Sequence, residues 1–140
     1  MQKTRRFFAT SAILALLPML VPDPALAFSG RRGTRVAPVN KAVFEVVARG
    51  SGSGYDYWCG AADYARRALG AGWQDTIYIA RGRGQSVTTG RRSSVQFTLD
   101  PAAAGITPTG PSLSLNSLKV GDNMSVTQAN QYCNMGPERF

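Results

Sequence analysis

Apolar residues recur at different spacings along the chain, and each spacing predicts a different element. Residues 41–49 (KAVFEVVAR) are almost continuously apolar and β-branched, which predicts a strand. Val43, Glu45 and Val47 would share one face and Phe44, Val46 and Ala48 the other, leaving Glu45 on the less apolar side. From Asp56 the spacing becomes helical, with Trp58, Ala61, Ala62, Ala65, Ala68 and Leu69 on one stripe. Asp56 is the expected N-cap, Gly70 or Gly72 the left-handed stop, and Asp63 and Arg67 stand at the favourable four-residue spacing. A stripe made mostly of alanine predicts a helix lying close against a sheet. Trp58 and Leu69 then supply the bulk, at about 1.5–3 kcal/mol each when buried.

The second half of the chain reads as shorter pieces. Residues 76–80 (TIYIA) form a buried strand and 94–99 (SVQFTL) an alternating one. Between them lies RGRGQSVTTGRRSS, with a short strand expected at 85–88 and a turn at Thr89-Gly90, so that 77–99 forms a small meander with basic tips. The three prolines of 100–111 predict an irregular surface loop. One or two short strands over 113–120, a turn at Gly121-Asp122, and a final helix capped by Ser125 or Thr127 and running through Gln131 complete the reading. Residues 28–40 carry arginine, glycine and proline without a period and read as a flexible basic arm, and 135–140 as a frayed tail. The sum is a single α+β domain over 41–134. One main helix packs on a small, mainly antiparallel sheet, followed by a short C-terminal helix.

Residues 1–27 change the size of the working protein. Lys3, Arg5 and Arg6, the apolar run 12–21 and Ala25-Leu26-Ala27 make a basic start, a short apolar core and a small-residue cleavage site. The run is too short to span a bilayer, so a cleaved signal peptide ending at Ala27 is expected, with a periplasmic or secreted product and no transmembrane segment after cleavage. Thr4-Arg5-Arg6-Phe7-Phe8 resembles the twin-arginine export motif, and an ordinary secretory signal is the alternative.

Export gives the two cysteines a meaning. Cys59 and Cys133 are an even pair in an oxidising compartment, which predicts one disulfide. The long loop it closes would contribute roughly 4 kcal/mol. The competing reading, a reactive Cys59 thiol in the first turn of a helix, lacks a base, because the chain contains no histidine. That absence also removes the usual zinc and haem ligand and every triad built on histidine. No catalytic constellation, metal or cofactor is therefore assigned. Asp56 and Asp63 lie nearly two helical turns apart and do not make a glycosidase-like pair.

The formal net charge is +8, almost all of it arginine, and it stays strongly positive once the signal is removed. Arginine forks match carboxylates and phosphates. Arg81, Arg83, Arg91 and Arg92 would flank a hairpin and converge near one edge of the sheet, either to meet an acidic partner or to guard the edge against strand pairing. Gly50, Gly52 and Gly54 precede the helix and offer a weak anion loop, with GxGxG spacing and neither a dinucleotide nor a Walker pattern. Tyr57 and Trp73 read as packing lids and Trp58 as core. No nucleic-acid module is recognisable, which argues against nucleic acid as partner. The favoured reading is an exported non-enzymatic module that binds an acidic protein or polyanion. A small hydrolase or transferase using the helix start around Cys59 and Asp56, and a purely structural envelope protein, are the alternatives.

Overall fold

The computed structural model describes residues 27–135. The signal peptide lies outside them save for Ala27, and the tail save for Met135. Seven strands form one sheet in the order β1-β2-β3-β5-β4-β7-β6. The strands are β1 (Phe28–Ser29), β2 (Arg35–Pro38), β3 (Val43–Val47), β4 (Thr76–Gly84), β5 (Ser94–Thr98), β6 (Gly110–Pro111) and β7 (Asp122–Ser125). All neighbours are antiparallel except β6 and β7. The helices are α1 (Gly54–Arg67) and α2 (Val126–Gln131). The α+β class, the mainly antiparallel sheet, the main helix and the short C-terminal helix are as the sequence predicts. Among the described residues no helix is long and apolar enough to cross a membrane.

The main helix starts earlier than its pattern indicates. Ser53 is the N-cap, and Asp56 stands at the third helical position, where its Oδ2 accepts from the Ser53 N–H at 2.8 Å and the Ser53 hydroxyl at 3.0 Å. Gly70, at φ +68, supplies the stop. The predicted stripe is buried through Ala65, but Leu69 is 48% exposed and contributes little bulk. Tyr57 and Tyr64 fill that role instead, and burial runs round nearly the whole helix. The sheet covers one side, with Trp58 edge-on to Phe97 and Tyr64 against Phe44. On the other side lie α2 and the turn Arg31–Gly33. Gly60 permits this closeness: a Cβ there would stand 2.7 Å from Val46 Cγ1 and 2.8 Å from Thr34 Oγ1.

The segment read as a flexible arm is part of the sheet. β2 pairs with β3 along its whole length, and β1 pairs with β2. Asp63 Oδ2 accepts the Arg31 N–H at 3.0 Å, and Asp56 Oδ1 accepts Arg32 Nε at 2.8 Å. Arg31 and Arg32 then reach on to Asn134 Oδ1 and the Met135 carbonyl, each at 2.7 Å. Two helix carboxylates thus fix the polar turn Arg31–Gly33, while Val36 and Ala37 of the same stretch enter the core. Phe28 adds an edge contact to Tyr64.

Cys59 and Cys133 are bonded, with 74 residues of separation. The bond fastens the end of α2 to the middle of the core. Two smaller expectations fail. Residues 85–88 form no strand, and 113–120 form turns, while strand pairing occurs on either side at β6 and β7. Residues 86–88 instead donate to Glu45, some forty residues earlier, whereas 114–122 close local turns, the Ser117 N–H on the Ser114 carbonyl and the Asp122 N–H on the Lys119 carbonyl.

Candidate functional site

Pairing register brings four strand ends to one end of the sheet. Arg35 opposes Val47, Val47 opposes Ser94, and Ser94 opposes Gly84. The start of β2, the end of β3, the start of β5 and the end of β4 therefore lie side by side. Arg35 begins β2, Arg49 follows β3, Arg91 and Arg92 precede β5, and Arg83 is the penultimate residue of β4. At the usual strand spacing these four ends span roughly 14 Å.

Two open hollows adjoin here, linked by the Arg49-Gly50 and Arg91-Arg92 steps of the chain. The smaller, about 100 Å³, is lined by Arg35, Arg49 and Arg91 with Gly33, Val47 and Ala48. The larger, about 650 Å³, is lined by Arg83, Arg92, Ser51, Ser93, Gly50 and Gly84. Among the described residues, the side chains of Arg35, Arg49, Arg91 and Arg92 have no ion-pair partner. Arg83 is partly engaged: its Nη1 donates to the Ser51 and Gly52 carbonyls at 2.9 and 3.0 Å, and its guanidinium lies 5.0 Å from the Tyr57 ring.

The four arginines expected together do not stay together. β4 and β5 are interior in the strand order, but β7 lies beside β4 only over Thr76–Tyr78, and Arg81–Gly84 have β5 alone as neighbour. Arg81 turns inward: Glu45 and Arg81 both pair with Gln96, which puts them on one cross-strand row. Arg81 Nη2 lies 3.7 Å from Glu45 Oε1 and donates to Ser94 Oγ at 2.6 Å, and its Nη1 donates to the Gln85 carbonyl at 2.9 Å. Arg81 is thus part of the scaffold, while Arg35 and Arg49 join Arg83, Arg91 and Arg92 on the surface.

Glu45 is the organising residue beneath this surface, and it is fully buried. Its carboxylate accepts from Ser86 Oγ, the Val87 and Thr88 N–H groups, Thr88 Oγ1 and Ser94 Oγ, at 2.5–3.1 Å. Burial by itself pushes the carboxyl upward. The donors, led by the Thr88 hydroxyl and followed by the Val87 N–H, Ser86 and Ser94, outweigh it and bring it from 4.5 to about 2. An ionised carboxylate inside the sheet therefore folds residues 86–88 around itself. That loop leads directly to Arg91 and Arg92. A glutamate in the middle of VFEVV, matched by a later hydroxyl-rich stretch SVTTGRRSS, is the sequence signal that points to this pairing.

The helix start is occupied from within. Ser53 N–H donates to Asp56, Gly54 N–H donates to Asn116 Oδ1 at 2.9 Å, and a Cβ on Gly54 would meet the Leu115 carbonyl at 2.1 Å. Gly52 lies under Tyr57, and only Gly50 faces a hollow. Asp56 is held below the usual carboxylate range, because its bonds to Ser53 and Arg32 outweigh the effect of burial. Cys59 is fully buried and its sulfur is bonded to Cys133, so it presents no thiol. Among the described residues no group of three or more potential metal ligands comes together. Comparisons with protein-family models, with curated proteins and with solved structures find no match to this chain.

Proposed function

We propose that the protein is an exported, non-enzymatic module that binds a polyanionic partner across the arginine-bearing end of its sheet. The observation that carries this reading is charge segregation. Arg35, Arg49, Arg83, Arg91 and Arg92 gather round two adjoining hollows. The carboxylates of Glu45 and Asp56 are buried and already bonded. Asp75 and Asp100 stand at the opposite end, before β4 and after β5. Converging guanidinium groups without counter-charge favour an anion between them. The basic, apolar and small-residue order of 1–27 supports export, as does the disulfide, since such bonds persist in oxidising compartments.

The test is retention on immobilised heparin, a sulfated polyanion, as ionic strength is raised. Retention is expected to fall steeply with salt, by about one unit of log–log slope per arginine engaged. The double variant Arg91→Ser, Arg92→Ser should elute much earlier with its thermal midpoint unchanged. Lys41→Ser and Arg66→Ser, away from this end, should elute like the parent. Equal loss from both sets would reduce the effect to net charge and defeat the reading.

A further inference from the structure

The smaller hollow offers more than general attraction, a role that rests on the polyanion reading. We infer that Arg35, Arg49 and Arg91 form a discrete subsite for a single tetrahedral oxyanion carrying three free oxygens, a sulfate ester or a phosphate monoester. Its shape gives the first reason. At about 100 Å³ the hollow is small, a size that suits one such group between the three side chains.

Acceptor capacity gives the second. Each guanidinium presents a planar fork that is best satisfied by two acceptor sites. A carboxylate offers about four such sites and can serve two forks. Three forks around one point need roughly six, the capacity of three terminal oxygens. A phosphodiester leaves only two free oxygens on each phosphorus and falls short in the same way as a carboxylate. The subsite therefore favours terminal sulfate or phosphate over acidic peptides, uronic acids and nucleic-acid backbones.

Preorganisation is the third reason. Arg35 is fixed by β2–β3 pairing opposite Val47. Arg49 Nε lies 4.0 Å from where a Cβ on Gly33 would stand, so the side chain crosses a turn that is itself held to α1. The backbone of Arg91 is held at both polar groups: its carbonyl accepts the Ser86 N–H at 2.7 Å, and its N–H donates to Thr89 Oγ1 at 3.2 Å. Ser86 is in turn bonded to Glu45. All three arginines thus project from backbone that the fold has already placed.

The experiment tracks the arginine Nε–Hε resonances of the oxidised mature protein during titration with inorganic sulfate, inorganic phosphate and acetate at constant ionic strength. Saturable shifts are expected at Arg35, Arg49 and Arg91 with sulfate and phosphate, weak and non-saturating shifts with acetate, and little change at Arg66 and Arg67. Arg91→Ser and, separately, Arg35→Ser should each weaken oxyanion binding by about tenfold, as the loss of a charge-assisted contact implies. Comparing sulfate with phosphate near pH 5 and pH 8 separates the two esters, since only phosphate gains charge across that range. Equal response to acetate, or shifts spread evenly over all arginines, would overturn the subsite. If heparin retention persists in Arg91→Ser and no oxyanion saturates the parent, the subsite fails while the polyanion reading stands. If the parent shows no salt-sensitive retention, both fail.

Discussion

The two ends of the sheet treat charge in opposite ways. At the end where β4 begins and β5 finishes, charges close the chain's own turns. Asp75 accepts the Gly72 N–H at 2.7 Å, and Asp100 accepts the Ala103 N–H at 3.1 Å. Arg66 donates to the Ala71 carbonyl at 2.6 Å and lies over the Trp73 ring at 4.1 Å. At the other end the side chains of Arg35, Arg49, Arg91 and Arg92 hold no turn and no ion pair among the described residues. The lesson is that a basic composition does not itself locate a contact surface. The informative arginines are those for which the fold has no use, and only the pairing register separates them from the rest.

That contrast requires stability to reside in groups other than the exposed arginine side chains, and the largest effect tests it first. Replacing Cys133 by Ser removes a closure of 74 residues and should cost about 4 kcal/mol in denaturant unfolding. Next comes Glu45→Gln, which turns an amide NH₂ toward hydroxyl and N–H donors in a buried site. A loss of about 2–4 kcal/mol is expected, together with weaker binding as residues 86–88 loosen. A neutral outcome would detach the loop from Glu45. The same residue gives a pH dependence whose sign is fixed. Glu45 is ionised in the fold down to about pH 2, whereas its ordinary value is 4.5. The unfolded chain therefore takes up the proton first. This contribution is complete above about pH 4.5 and is lost as pH falls toward 2. Asp56, also lowered, acts in the same direction. In Glu45→Gln the slope over that window should shrink.

Smaller effects sharpen the comparison. Asp63→Ala breaks the bonds to the Arg31 N–H and to Arg67 and should cost about 1–2 kcal/mol, with β1 and β2 exchanging amide hydrogens faster. Smallest of all in stability should be Arg49→Ser or Arg92→Ser, within about 0.5 kcal/mol by thermal unfolding, even though both lower heparin retention. Should either unfold the protein, the two ends would no longer differ.

Much of this architecture was legible in the residues. The helix showed itself through alanine spacing and its glycine stop, and β3 and β5 through their apolar patterns. Ser125 does cap α2, accepting from the Gln128 N–H at 3.1 Å. The two cysteines had only each other. What stayed hidden was decided by partners far away in sequence. RGTRV has no strand character until Asp63 and Asp56 hold Arg31 and Arg32 beside β3. RGRG continues β4 because β5 lies alongside, with irregular register at Arg81. Glu45 looked like the polar face of a strand, and its burial depends on hydroxyls some forty residues on. For the surface itself, local reading found Arg83, Arg91 and Arg92. It could not exclude Arg81 or include Arg49, because side-chain direction across strands follows from register.

The bond between Cys59 and Cys133 also makes most of the chain a covalent ring. Strands β4 to β7 and the segment bearing Arg81, Arg83, Arg91 and Arg92 lie inside it, while β1, β2 and β3 lie outside. A trypsin-like protease that nicks the arginine-rich segment once would therefore release no fragment. The cut molecule would migrate as a single species until a reductant opened the ring, and only then fall into two pieces.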